Sequence, residues 1–292
     1  MDAFTIKDLE NLSGIKAHTI RIWEQRYNFL KPRRSFTNIR YYSNHELKIV
    51  LNISLLNKHG IKISHIDKMN EEEIHEKILS LSDANAPQER LVNELLKEMI
   101  ELNLVKFESI IDNFMLARGI ERSINQLIFP FLDKIGFLWL TNHINPAQEH
   151  LVSNIIRQKL IVGIEGVRVA LKPGKSILLF LPEGEHHEMG LLFVHYLLKL
   201  KGAEVFYLGS NVPLKDLEYI VRLKKPVYIF SHLTSIGPNF NFDKFLGIMQ
   251  KKFSESKIIL SGQLTQRYEK KVMAPVFLKK TLSEVMDFID KI

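Results

Sequence analysis

From Ser176 onward the chain alternates short apolar runs with longer amphipathic segments, and this alternation constrains the fold more than any other feature. The runs Ser176–Leu181, Glu204–Leu208, Val227–Phe230, Lys257–Leu260 and Val272–Phe277 are strand-sized. Between them lie a helical pattern that starts near His186 or His187 and runs through Leu200, then Leu214–Arg222 and Phe242–Phe253. A short helical turn near Thr265 and a last helix over Ser283–Ile292 complete the series. A parallel pair of strands needs a crossover, and the crossover helix must bury its apolar stripe on the sheet. Apolar strands separated by helices therefore predict a parallel sheet covered on both faces.

Such a series predicts a doubly wound sheet of flavodoxin-like (Rossmann-like) topology, whose ligands sit beyond the carboxyl ends of the strands. The sequence places polar groups at those ends. Glu185, His186, His187 and Glu188 follow the first strand, Leu208 to Pro213 the second, Ser231 to Thr234 the third, and Ser261, Gly262 and Gln263 the fourth. A histidine in such a loop can reach a metal above the sheet, and a carboxylate two residues away can hold the far side of its imidazole. Gly190, without a side chain, lets something bulky pass close to the first helical turn. A solvated loop is the bland alternative for the same residues. No GxGxxG and no GxxxxGK[ST] occurs, so neither a dinucleotide fingerprint nor a P-loop is present.

Ahead of the sheet, Gln88–Ile100, Asn103–Ala117, Glu121–Leu140 and Pro146–Gly163 repeat apolar residues at intervals of three and four. This predicts a small antiparallel four-helix bundle. Its unusual corner is WLTNHINPAQEHLVSN, where Trp139 closes the third helix and Glu149-His150 opens the fourth. Both would lie towards one end of the bundle, although a core tryptophan and a solvated Glu-His pair would look the same. Upstream, SLSDANAP (Ser80 to Pro87) breaks an acidic helix that starts at Glu71, as a hinge would.

The charge of the chain is concentrated near its start. Between Asn11 and Lys62 ten Lys or Arg stand against Glu24 and Glu46, a local excess of +8 in a chain of net charge +7. That excess predicts a polyanion partner for this part alone. Phe4 to Leu12 and Ala17 to Tyr27 read as two short helices joined at Ser13-Gly14, the pattern of a helix-turn-helix whose second helix enters the major groove. Lys16, His18, Thr19 and Arg21 fall at the start of that second helix, while Ile20, Trp23 and Tyr27 point inward. PRRSFTNIRYY (Pro32 to Tyr42) reads as a two-stranded wing that lays Arg33, Arg34 and Arg40 on phosphates, with Tyr41 as a further donor. Ser43-Asn44 then caps a third helix, Glu46 to His59, and a fourth begins at Ile61. Tyr42 and Trp23 are expected in the small domain's core. The chain has no cysteine, which excludes disulfides, Cys-ligated zinc and iron-sulfur centres. It shows no secretory signal and no apolar run of membrane-spanning length, so no membrane association and a cytoplasmic location are expected.

FTIKDLENLSGIKAHTIRIWEQRY followed by LKPRRSFTNIRYYSNHEL resembles the MerR family of winged-helix regulators. The Thr5-Ile6 pair, the Gly14-Ile15 turn, Thr19-Ile20-Arg21-Trp23-Glu24 and Arg40-Tyr41-Tyr42 carry the resemblance. The rest of the chain resembles the cobalamin-binding module of methionine synthase, corrinoid proteins and the light-sensing MerR regulators. E-x-H-x-x-G stands here as Glu185 to Gly190, and the bundle motif of W, nine residues and EH as Trp139 and Glu149-His150. LGxxxP is Leu208, Gly209 and Pro213, and S-x-L is Ser231 and Leu233. The expected organisation is multidomain. A MerR-type winged helix-turn-helix occupies 1–78, a linker 79–88, a four-helix bundle 89–170 and a flavodoxin-like domain 171–292.

The resemblance implies a non-enzymatic, DNA-binding regulator, expected to act as a repressor, whose oligomerisation and operator binding answer to a cobalamin. Adenosylcobalamin with light is the first expectation for the ligand and methylcobalamin the second. His187 would take the cobalt, with Glu185 behind it. Ser231 and Gly262 would line the slot for the nucleotide tail, Gly190, Gly209 and Leu233 would also belong to the cofactor site, and Trp139, Glu149 and His150 would cap the upper face. The implied partners are a palindromic double-stranded DNA operator and further copies of the chain, as a dimer or tetramer. Many MerR proteins dimerise through a long coiled coil that is not found here, so oligomerisation must come from elsewhere. Two departures from the pattern matter. Gln263 follows Gly262 where relatives carry a second glycine, and Leu140 follows Trp139 where the light-sensing relatives carry a histidine, with His143 close by. Two other functions stay open: a cobalamin-independent regulator that keeps the module for protein contacts, favoured by Gln263, and a corrinoid methyl carrier, disfavoured by the wing.

Overall fold

A computed structural model describes residues 4–27, 29–36, 38–79, 86–140, 145–234 and 240–292; the side chains at 44, 75, 79, 86, 87 and 137–140 are outside that description. The chain forms two compact units, 1–156 and 157–292.

In the first unit, helix α1 (Ile6–Ser13) begins at Thr5, which shares a capping box with Asp8, and ends at Gly14. Gly14 adopts φ 75°, a left-handed conformation that suits glycine, and its N–H closes the helix on Glu10. Helix α2 (Ala17–Arg26) follows this tight turn and buries Ile20 and Trp23. Strands β1 (Arg33–Arg34) and β2 (Arg40–Tyr41) pair antiparallel, with Arg33 opposite Tyr41 and Arg34 opposite Arg40. This is the expected wing. Helix α3 (Asn44–Lys58) starts from a Ser43/Glu46 capping box, and α4 (Ile63–Ile66) and α5 (Glu71–Leu79) follow. Trp23, Ile53, Leu56, Ile66 and Ile78 close one core, and Tyr42 is wholly buried through a bridge to Phe4.

Helices α6 (Ala86–Ile100) and α7 (Leu104–Arg118) follow, and Asn103 caps α7. The single helix expected over 121–140 is instead α8 (Ile120–Ser123), a π-helical turn (Ile124–Ile128) and α9 (Phe129–Leu140). Pro130 lies at the start of α9. Proline removes one helical hydrogen bond and crowds the preceding turn, so a widened turn just before it relieves the conflict. Helix α10 (Pro146–Gly166) continues into the second unit. The winged-helix part and the bundle are packed together, with α3 and α5 against α6 and α1 against α9. Of the expected hinge, residues 80–85 lie outside the described residues.

The second unit holds the predicted parallel sheet. Its strands are β3 (Ser176–Pro182), β4 (Glu204–Val212), β5 (Tyr228–His232), β6 (Lys257–Ser261) and β7 (Val276–Lys279), in the order β4-β3-β5-β6-β7. Helices α11 (Met189–Leu200), α12 (Leu214–Lys224), α13 (Phe242–Lys252), α14 (Gln263–Gln266) and α15 (Leu282–Asp290) connect and end the series. Leu178 to Leu181 are buried on both faces, as a central parallel strand requires. The strand order reverses between β3 and β5, and that switch point opens the crevice in which doubly wound sheets take ligands.

Candidate functional site: a histidine-carboxylate pair at the sheet crevice

Helix α11 starts at Met189, two residues after His187, so Glu185, His186 and His187 stay in the loop after β3. A turn closed by Glu185 N–H on the Pro182 carbonyl (2.9 Å) drives the Glu185 side chain into the protein, where it is fully buried. Its Oε1 accepts from the backbone N–H of His186 (2.9 Å) and His187 (3.0 Å) and lies 2.6 Å from His187 Nδ1. Its Oε2 accepts from Thr234 N–H at 2.8 Å, which ties the loop to the segment after β5. The imidazole of His187 itself is exposed. A carboxylate acceptor at Nδ1 fixes the proton there and assigns metal ligation to Nε2.

Asn211, an unassigned position inside the LGxxxP element, completes the loop. Its Oδ1 accepts from Gly184 N–H (2.9 Å), and its own N–H donates to the Glu185 carbonyl (3.1 Å). Asn211 has φ 56°, a conformation that asparagine tolerates better than most residues. That preference is the signal that could have singled it out.

The small residues of the crevice have specific neighbours. Ser231 is wholly buried, and its Oγ has no hydrogen-bond partner among the described residues. Leu233 is also fully buried. A Cβ on Gly190 would lie 2.6 Å from the His232 ring, so the chain's own imidazole fills the space beside this glycine. His232 Nδ1 lies 2.8 Å from Ser261 Oγ, and burial pushes the imidazole down to about 4. Gly262 (φ +100°) faces the Leu233 backbone, where a Cβ would meet the carbonyl oxygen at 2.4 Å. Gly209 lies in the irregular part of the β3–β4 pairing, and its Cβ would meet Glu188 Oε1 at 3.2 Å. Gln263 is exposed, and its amide suits donation to the Thr234 carbonyl and acceptance from Arg267.

In the first unit Glu149 and His150 lie in the first turns of α10 and face each other at 3.3 Å. The Trp139 and Leu140 side chains and all of His143 are outside the described residues. On the winged-helix part, Lys16, His18, Arg21 and Arg33 are exposed and Thr19 and Tyr41 half-buried. Lys16 is paired with Glu10 at 3.3 Å. Glu24 of α2 holds two wing arginines, Arg34 at 3.1 Å and Arg40 at 2.5 Å. Arg34 and Arg40, both expected on phosphates, thus share a carboxylate of α2 that ties the wing to that helix, a pairing between elements that residue spacing does not reveal.

Residues 4–73 match the MerR HTH family of regulatory proteins, and residues 70–162 match the B12 binding domain. This chain joins a MerR helix-turn-helix to a B12-binding domain. It is similar to the HTH-type transcriptional repressor CarA of Myxococcus xanthus, with 29% identity over 80% of this chain and 77% of that protein. The similarity to the HTH-type transcriptional repressor CarH of the same organism is 27%, over 77% of each chain. Among solved structures, the monomethylamine corrinoid protein of Methanosarcina barkeri matches with TM-score 0.54 at 13% identity, over 70% of this chain and all of that one. The last likeness concerns the fold alone. Among the described residues no helix is long and apolar enough to cross a membrane.

Proposed function

We propose that the protein is a DNA-binding transcriptional repressor controlled by a bound cobalamin. The observation that carries the reading is the His187–Glu185 pair, 2.6 Å apart at the switch-point crevice of a chain that begins with a winged helix. Among the described residues no group of three or more His, Cys, Asp or Glu could hold a free metal ion. One exposed imidazole with a buried carboxylate behind it suits a metal that arrives already held in a macrocycle. The orphaned Ser231 hydroxyl supplies a buried polar group for the cofactor's tail. Cobalamin would supply a cobalt centre able to take an imidazole nitrogen as ligand, which His187 would offer. The chain's part is to present His187 from a loop pinned by Pro182, Asn211 and Thr234.

The similarity to two named repressors supports the direction of control, and the wing with its basic charge supports double-stranded DNA as the partner. A methyl carrier would have no use for the wing. Adenosylcobalamin as the ligand form, light as the input, and assembly into a dimer or tetramer on a palindromic operator form the finer proposal. It rests on the motif resemblance, as do the upper-face roles of Trp139, Glu149 and His150. Leu140 offers no nitrogen, so a histidine ligand directly after the tryptophan is not part of the proposal.

The test is a visible-absorption titration of the purified chain with adenosylcobalamin and methylcobalamin in the dark. It is joined to anisotropy on a duplex selected from a random pool. We expect a saturable spectral change and a corrinoid-dependent change in duplex affinity, both lost in His187→Ala. No spectral change with either corrinoid would overturn the cobalamin reading. A spectral change with unaltered DNA binding would overturn the control. Size exclusion with adenosylcobalamin before and after green light tests the light input, and equal masses with equal DNA binding would sink it.

A further inference from the structure

The first unit contains a cavity of about 430 Å³ between the helix-turn-helix and the bundle, far in sequence from the His187 loop. Small-molecule sites typically measure roughly 300–1,000 Å³ and combine apolar walls with a few placed polar groups. Here the apolar walls are Leu12, Leu51, Leu55, Val92 and Pro130. Ser13 and Gly14, the turn that joins α1 to α2, form part of the lining, and the Ser13 carbonyl accepts from Ser54 Oγ at 2.6 Å.

The unusual group is Lys134 of α9. Its Nζ donates to Asn93 Oδ1 at 2.6 Å, and no carboxylate partners it among the described residues. Burial pushes the ammonium down to about 8, with Lys58 adding to the shift and Glu89 opposing it. Glu89, the acidic group of the lining, is in contact with Lys58. Gln88 and Gln126 satisfy each other at 3.1 Å. A half-buried ammonium with a neutral partner, beside an apolar space, is electrostatically complementary to a small anion carrying an apolar body.

We propose that this cavity is a second ligand site, independent of any corrinoid, for a small organic carboxylate whose anionic head pairs with Lys134 and whose apolar body fills the space behind the Ser13-Gly14 turn. The ligand touches the Ser13-Gly14 turn that joins α1 to α2. The bundle side of the lining, from Gln88 to Lys134, falls within the stretch that matches the B12 binding domain, but no lining residue belongs to the parallel sheet or to the His187 loop.

The test uses the full chain without corrinoid, with phenylacetate and 4-phenylbutyrate as probes and phenylacetamide as the uncharged control. Binding is followed by saturation-transfer NMR and by isothermal titration. Saturable binding of at least one carboxylate is expected, weakened about tenfold or more both for the amide and in Lys134→Met, since a charge-assisted bond is lost. The amide comparison uses the unaltered protein and so holds even if Lys134→Met folds poorly. The proposal is overturned if neither carboxylate binds saturably, if the amide binds as well as the acid, or if a folded Lys134→Met protein binds as the parent does.

Discussion

Replacing Gly190 by alanine tests how the crevice is filled. The new Cβ would stand 2.6 Å from Cδ2 and 2.7 Å from Nε2 of His232, and ordinary contact begins at 3.4 Å. The ring would have to retreat from 2.6 to 3.4 Å, about 0.8 Å, yet its Nδ1 is held by Ser261 Oγ at 2.8 Å. Overfilling a packed interior typically costs ~1–3 kcal/mol. Breaking the Ser261 contact to make room would add ~0.5–1.5 kcal/mol. Gly190→Ala is therefore expected to destabilise the sheet unit by about 1–3 kcal/mol if the Ser261 contact survives and by about 1.5–4.5 kcal/mol if it breaks, seen as a lower urea midpoint at unchanged slope.

Coupling with His232 distinguishes this cause from any general intolerance of the helix start. In a His232→Ala background the obstructing ring is gone, and Gly190→Ala should then cost less than ~0.5 kcal/mol, a coupling of order 1–2 kcal/mol. Gly262→Ala provides the contrast. It meets the Leu233 backbone at 2.4 Å with φ +100°, so removal of His232 cannot relieve it. A Gly190→Ala protein as stable as the parent, or one equally destabilised in both backgrounds, would refute the packing described for His232.

Other perturbations have similarly direct outcomes. Arg33→Ala, at an exposed wing position, should weaken binding to specific and random duplex alike and flatten its salt dependence, measured by anisotropy across a salt series. Glu24→Gln should loosen the wing, because Arg34 and Arg40 both pair with that carboxylate; faster amide exchange over 33–41 with the rest of the chain unchanged is the expected sign, and unaltered exchange would count against it. Asn211→Ala removes the acceptor for Gly184 N–H and should lower corrinoid affinity without touching a ligand atom, which a spectral titration would detect. His195, half-buried near Lys199 and Glu165, is pushed from 6.5 down to about 4 by the loss of solvent around it. The unfolded chain then binds more protons between those values, so stability falls as pH drops from 6.5 towards 4. His195→Phe should flatten part of that acid limb in urea midpoints measured across pH, and an unchanged limb would exclude His195 as a contributor.

The fold was legible where one residue type repeats with a period set by backbone geometry. The parallel sheet followed from apolar runs such as Leu178 to Leu181, and the helix-turn-helix from Gly14 between two short amphipathic segments. The wing followed from Arg33-Arg34 and Arg40-Tyr41 on either side of a polar turn. The π-helical turn at Ile124–Ile128 was not read, because a proline's effect on the preceding turn depends on whether tertiary packing keeps the helix going. At the site, the Glu185–His187 spacing was readable because both groups share one loop. Glu24 with Arg40, His232 with Gly190 and Lys134 with Asn93 were not, since each pair joins residues from different elements. The crevice shows what this costs a motif reading. The glycines at 190 and 262 read as open space in one dimension, whereas in three dimensions an imidazole and a backbone carbonyl stand against them. Spacing can reveal that a position must be small; only the fold reveals what it is small for.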